Sequence, residues 1–304
     1  MTSSEFPAVD SPHHYALLIR EGIPPDEPKV VYVHVRRLED ADVLRYREAY
    51  NTLDGILNVN VFTYVKETFK GFMNAVQADV QELQESKYSP ANPDGIIAVG
   101  VRMRTAVLSM CSALYFHQEH NYKQIVRKFG ENGSEHNKVQ KIFNRLFERS
   151  PEYRLLYHLR NTMVHYALDV VRISAGARLV DEVPVGWTDP KVDISAMIEL
   201  NTELKEAYRR QLRAMAEDPS ILELVSKAMP LVFEANEKIL RVIHPEVDEA
   251  CQAASEFDAI FADQEGVRAL GYCDGSSQWN KCPKYTPWAS NVVEYAIKNA
   301  PSRG

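Results

Sequence analysis

Apolar residues recur at helical spacing through most of this chain. Between about residues 55 and 86, Phe62, Val65, Phe69, Phe72, Met73, Val76, Val80 and Leu83 form one stripe, and the turn Ser89-Pro90-Ala91-Asn92-Pro93-Asp94-Gly95 ends it. A helix over Ile96 to Glu119 follows, with Val99, Met103, Val107, Met110 and Leu114 facing inward. Residues 120 to 130 form a short helical element, Gly130 to Ser134 a turn, and 135 to 149 a helix that buries Val139, Ile142, Phe143 and Leu146. The next helix starts at Ser150 and runs to about Arg172, with Leu156, Leu159, Met163, Ala167 and Val170 as its buried stripe. Helices are also predicted over 39 to 50, 193 to 216, 219 to 242 and 246 to 264.

Few segments break this period. Val30-Val31-Tyr32-Val33-His34-Val35 follows Pro28, is rich in β-branched residues and predicts a short strand. Ile173 to Val180 and Val183 to Val192 predict a small β-hairpin or flap, interrupted by Gly186 and Pro190. Residues 1 to 28 lack periodicity and read as an arm, and 271 to 304 read as a loop that packs Trp279, Tyr285 and Trp288 on the helices. No unit repeats at a fixed period. The expected fold is therefore mainly α: a helical bundle over 29 to 173 with a short N-terminal strand, then a flap and C-terminal helices over 174 to 270, then the tail.

Composition adds two constraints. A 304-residue chain that is 45% hydrophobic holds ample material for a core. No apolar run approaches the roughly 18 residues that cross a bilayer, and Met1-Thr2-Ser3-Ser4-Glu5 lacks a basic, then apolar, start. With Cys111, Cys251, Cys273 and Cys282 scattered along the chain, this points to an intracellular, cytoplasmic protein without a membrane partner. The net charge of −7 argues against a nucleic-acid partner until its distribution is seen. Residues 119 to 172 hold 10 basic and 6 acidic side chains, while both flanking regions are acidic. Lys138, Lys141, Arg145, Arg149, Arg154 and His158 in that stretch are candidates to meet a phosphate backbone, against the plain reading of a solvated helix face.

The same stretch contains the most informative local pattern, Ser150-Pro151-Glu152-Tyr153-Arg154-Leu155-Leu156-Tyr157-His158-Leu159-Arg160-Asn161-Thr162-Met163-Val164-His165-Tyr166. Ser150 is placed to cap free amides, Pro151 occupies the first helical position, and Glu152 meets the positive end of the dipole. Arg160, Asn161 and His165 resemble the signature of the HEPN superfamily, helical domains whose active members carry Arg, a polar residue, and His after four to six intervening positions. The resemblance is clear over this helix and loose over 50 to 173. It implies metal-independent endoribonuclease activity without a cofactor, a homodimer that shares the site, and a role as a toxin or phage-defence effector with a protein antitoxin or defence partner. The chemistry fits the residue types. RNA supplies its own 2′-hydroxyl nucleophile; a histidine moves the proton, an arginine stabilises the charge that builds on phosphorus, and Asn161 tethers one of them.

Geometry adds a condition. On an ideal helix Arg160 and His165 point about 140° apart, so one helix alone does not converge them, whereas two copies packed on a two-fold axis do. The polar stripe expected near His165 is Arg154, His158, Asn161, Thr162, Asp169 and Arg172. The alternative is a non-catalytic helical binding or scaffold module that acts through protein contacts of its acidic C-terminal half. Metal chemistry is not indicated. Cys273 and Cys282 do not have zinc-like spacing, and His117, His120 and His136 match no ligand pattern and read as surface or capping residues. Gly-rich phosphate loops, dinucleotide fingerprints and Ser-His-Asp motifs are absent from the sequence.

Overall fold

A computed structural model describes residues 12–21, 30–85, 87, 93–180, 183–262, 264–274 and 284–301. In chain order the elements begin β1 (His13–Glu21), β2 (Val30–Leu38), α1 (Asp40–Leu57), α2 (Val61–Gln84), α3 (Pro93–Phe129), α4 (Ser134–Arg149) and α5 (Pro151–His165). They continue β3 (Val171–Val180), β4 (Val183–Val192), α6 (Ile194–Leu200), α7 (Glu206–Arg213), α8 (Ile221–Ile243), α9 (Val247–Ala259), β5 (Val267–Cys273), β6 (Lys284–Pro287) and α10 (Ser290–Asn299). The fold is mainly α with N-terminal strands. The chain forms two compact units, one from 1–60 with 244–304 and one from 61–243. The expected boundary at 173/174 falls inside β3.

In the first unit the strands make an antiparallel sheet ordered β2-β1-β5-β6, with a bulge between Ala16 and Leu17. Residues 13–21, expected to be part of an arm, are one of its two inner strands. Tyr15, Ala16, Leu17 and Leu18 are all buried, so both faces of β1 are covered. A strand covered on both faces has no polar alternation to betray it, and its partner β5 lies some 250 residues away in the chain. The expected tail loop is likewise structured: β5, β6 and α10 occupy most of its described residues, and Trp288 is buried 5.0 Å from the Tyr50 ring and 4.3 Å from Phe257. Trp279 and Cys282 lie outside the described residues. The helix expected over 39 to 50 extends to Leu57 because Leu53 and Ile56 continue the stripe of Val43, Tyr46 and Ala49.

The second unit is a helical bundle with one hairpin. In α2 the buried residues are Val61, Phe62, Val65, Phe72, Ala75 and Asp79, whereas Met73 faces outward. Asp79 is fully buried and is held by Arg102 of α3, which also grips Glu82. Burial pushes its carboxyl up and the guanidinium opposes that shift. Of the turn expected over Ser89 to Gly95, residues 89–92 lie outside the described residues and 93–95 already belong to α3, which starts three residues before the expected Ile96. The break expected after Glu119 does not exist. The stripe continues through His117, Asn121 and Ile125, and the two polar members hide it from an apolar pattern. His117 is therefore a core residue and not a surface one. Its Nε2 meets the Asn236 side-chain oxygen at 2.9 Å, Asn121 returns a hydrogen bond to the His117 carbonyl, and burial lowers its pKa to about 4. Against the expectation of no apolar stretch of bilayer length, α3 is long and apolar enough to cross a membrane by length and composition; as the core helix of this bundle it packs against α2, α4, α5 and α8.

Three further differences follow from local hydrogen bonds. The motif helix stops at His165, seven residues before Arg172, because the amides of Tyr166 and Ala167 both bond the Thr162 carbonyl and close the last turn. Arg172 is instead a strand residue paired with Asp193. The hairpin β3-β4 is antiparallel and continuous past Gly186 and Pro190. The helix expected over 193 to 216 is two short ones, since Arg209 donates to the carbonyls of Ile198, Asn201 and Leu204 and Asn201 accepts from the Glu203 amide. The bonds to Ile198 and Asn201 satisfy carbonyls at the C-terminal end of α6.

Candidate active site

The start of α5 follows from its first three residues. Ser150 is buried; its Oγ accepts from the Tyr153 amide at 3.1 Å and donates to the Glu152 carboxylate at 3.1 Å. The helix then buries Tyr153, Leu155, Leu156, Leu159, Thr162 and Met163, and packs mainly against α3 and α8. Thr162, expected on the polar stripe, is inside: it donates to the His158 carbonyl and accepts from Asn201 Nδ2 at 2.9 Å.

Arg160 and Asn161 are brought together. Arg160 Nη1 donates to Asn161 Oδ1 at 3.0 Å, and the guanidinium carbon stands 4.2 Å from the Tyr115 ring centroid. Its Nε is buried without a hydrogen-bond partner among the described residues. Tyr157 closes the cluster, 5.6 Å from Tyr115 between ring centroids. Burial raises the Tyr157 hydroxyl pKa, the Tyr115 side chain adds to the rise, and hydrogen bonding from Asn161 opposes it. Thus Asn161 links the motif arginine to a tyrosine one turn earlier. Sequence reasoning missed both tyrosines. Tyr157 was detectable, since it is four residues before Asn161 and three before Arg160 and so shares their helix face; Tyr115 depends on tertiary packing.

His165 is in a different setting. It is the last residue of α5, exposed, and makes no side-chain hydrogen bond, ion pair or ring contact with any described residue. Its neighbours Val164, Tyr166 and Leu168 are also exposed. No contact joins it to Arg160, and a step of five helical positions turns the two about 140° apart and separates them by roughly 7.5 Å along the axis.

The remaining candidates divide sharply. Arg154 is enclosed by rings, its guanidinium carbon 5.0 Å from the Tyr208 centroid and 6.0 Å from Phe147, and it donates to Gln211 at 3.3 Å. His158 lies 4.7 Å from Tyr208 and 5.9 Å from Phe147, and burial, with the Arg154 charge in second place, lowers its pKa to about 4. By contrast Lys138, Lys141, Arg145 and Arg149 are exposed along one side of α4. Lys138 approaches Glu135 at 3.6 Å, while Lys141, Arg145 and Arg149 have no ion-pair or side-chain hydrogen-bond partner among the described residues.

Comparison with protein families, curated protein sequences and solved structures finds no match to this chain.

Proposed function

We propose that this protein is a metal-independent endoribonuclease of HEPN type, working through Arg160, Asn161 and His165. The observation that carries the reading is the contrast inside the motif. The arginine is held in place by Asn161 and Tyr115 while the histidine is exposed and unpaired. A guanidinium fixed before the reaction stabilises the additional charge on phosphorus with little reorganisation. An exposed imidazole is accessible to a 2′-hydroxyl or a leaving 5′-oxygen, and moves the proton between them. The 2′-oxygen attacks phosphorus, the P–O5′ bond breaks, and the products are a 2′,3′-cyclic phosphate and a 5′-hydroxyl.

Because Arg160 and His165 diverge on their helix, the reading requires a homodimer in which motif helices of two copies face one RNA strand. Lys138, Lys141, Arg145 and Arg149 supply the flanking phosphate contacts. A cytoplasmic toxin or phage-defence effector, restrained by a protein antitoxin or defence partner, is the biological role that goes with this chemistry. The test is incubation of purified protein with total RNA in EDTA beside His165→Ala and Arg160→Ala. Cleavage that persists in EDTA, leaves cyclic-phosphate ends and is lost in both variants is expected. Ends bearing 5′-phosphate, or loss of activity in EDTA, would refute the mechanism, and a monomer at micromolar concentration by light scattering would count against the shared site.

A second reading rests on the same cluster. A guanidinium laid on Tyr115 with its Nε buried also serves as a packing element, which favours a non-catalytic helical binding module. In that case Arg160→Ala would lower stability and no RNA would be cut.

A further inference from the structure

Between α4 and α8 lies a small cleft of about 90 Å³ that is open to solvent. That is below the roughly 300 to 1,000 Å³ of sites that enclose a small ligand, so a ligand seated here lies partly in solvent. Arg145 and Arg149 line one wall, Glu234 and Lys238 the other, and Ile142 and Leu231 contribute apolar surface between them. The charges form no ion pair across the cleft. Glu234 is satisfied by Lys238 at 2.5 Å, on its own helix, and Arg149 acts on it only at longer range. The two guanidiniums across the cleft have no hydrogen-bond or ion-pair partner among the described residues, in a chain where acidic side chains outnumber basic ones 42 to 35.

The geometry points to a nucleotide subsite: an unpaired nucleotide of a single-stranded RNA, with its phosphates on Arg145 and Arg149 and its base against Ile142 and Leu231. A guanidinium matches phosphate oxygens bidentately. An apolar floor beside it suits the face of a base, and a base is free to enter only when it is unpaired. Glu234 at the rim is an acceptor for the exocyclic amino group of such a base. Lys138 and Lys141 extend the positive stripe along α4 beyond the cleft. That continuation favours a strand carrying several phosphates over a free mononucleotide. Cations spaced from 138 to 149 span about 16 Å of helix. The RNA class rests on the function proposed above; the cleft and its unpaired guanidiniums do not.

The test uses full-length His165→Ala protein, so that RNA is not cut, and a labelled ten-nucleotide single-stranded RNA followed by fluorescence anisotropy over a range of salt. Adding Arg145→Ala and Arg149→Ala together should weaken binding at least tenfold and reduce the slope of log affinity against log salt by about 1.4, since each phosphate contact to a single strand contributes roughly 0.7. Circular dichroism and thermal melting verify that the double variant folds, as expected for two exposed side chains. Affinity within twofold of the parent, duplex RNA bound as tightly as the single strand, or displacement by adenosine monophosphate as effective as by the oligomer would each overturn the proposal. The two readings fail separately. Wild-type protein that never cuts RNA, together with loss of binding in the double variant, removes the nuclease reading and keeps the subsite; cleavage with binding unaffected by the double variant does the reverse.

Discussion

Arg154 and His158 in the first half of α5, and Arg160 and His165 in the second, are two pairs of the same residue types at nearly the same spacing on one helix. The first pair is half-buried against Phe147 and Tyr208, with Tyr157 also beside His158, and burial brings its histidine to a pKa of about 4. In the second pair the arginine is fixed between Tyr115 and Asn161, while the histidine stands exposed at the helix end. A ring packed against aromatic neighbours and neutral above pH 4 is a structural part. An exposed ring with no side-chain partner among the described residues is available to a ligand. Residue type and spacing do not separate the two cases; the environment of each ring does.

The largest expected effect falls on activity. His165→Ala and Arg160→Ala should each reduce RNA cleavage by two or more orders of magnitude, roughly 3 kcal/mol of barrier, with His165→Ala leaving thermal stability unchanged within about 0.5 kcal/mol. His158→Ala should do the opposite in kind: it removes packing against three rings and should destabilise by about 2 kcal/mol, while cleavage per folded molecule persists. Equal loss of activity in His158→Ala and His165→Ala, at equal fold, would break the comparison.

Acid should sharpen it. His117 and His158 have folded-state pKa values lowered from 6.5 to about 4 by burial. A depressed histidine pKa means that the unfolded chain binds the proton first. Stability from these two groups is therefore complete above about pH 6.5, declines as pH falls toward 4, and levels off below it. The loss is at most about 3 kcal/mol for each. Denaturant unfolding at pH 7.5, 5.5 and 4.5 measures it, and His158→Ala should show a shallower decline than wild type. An equal decline in both would mean that His158 is not held neutral.

Much of the fold was legible where one face of a helix is apolar and the other polar. Helices α2, α4 and α8 and the hairpin fall close to where their patterns place them, and the Ser150 cap is made as its residue types dictate. What was not legible has physical causes. β1 is covered on both faces and pairs with a strand at the far end of the chain, and the continuity of α3 past Glu119 depends on His117 and Asn121 as buried polar residues. Of the site, the motif residues, the cap and the α4 stripe could be read from sequence. The tyrosines that hold Arg160, the rings that enclose His158 and the α8 side of the cleft could not, because each is a contact between separate elements.

The smallest effect tests the support common to both halves of α5. Ser150→Ala removes the hydroxyl that accepts the Tyr153 amide and donates to Glu152, and an N-cap serine is commonly worth about 1 kcal/mol. Ser150 is fully buried, so water does not readily replace the lost acceptor, and the cost should reach at least that value, read as a fall in melting temperature of a few degrees. Neither Arg160 nor His165 touches the cap, which lies at the other end of the helix. Cleavage by the folded variant should therefore match wild type within about twofold at a temperature well below its melting point. A large loss of activity with the fold intact would show that the register of α5 is set from its first turn through to His165, so that the two halves of the helix are not independent.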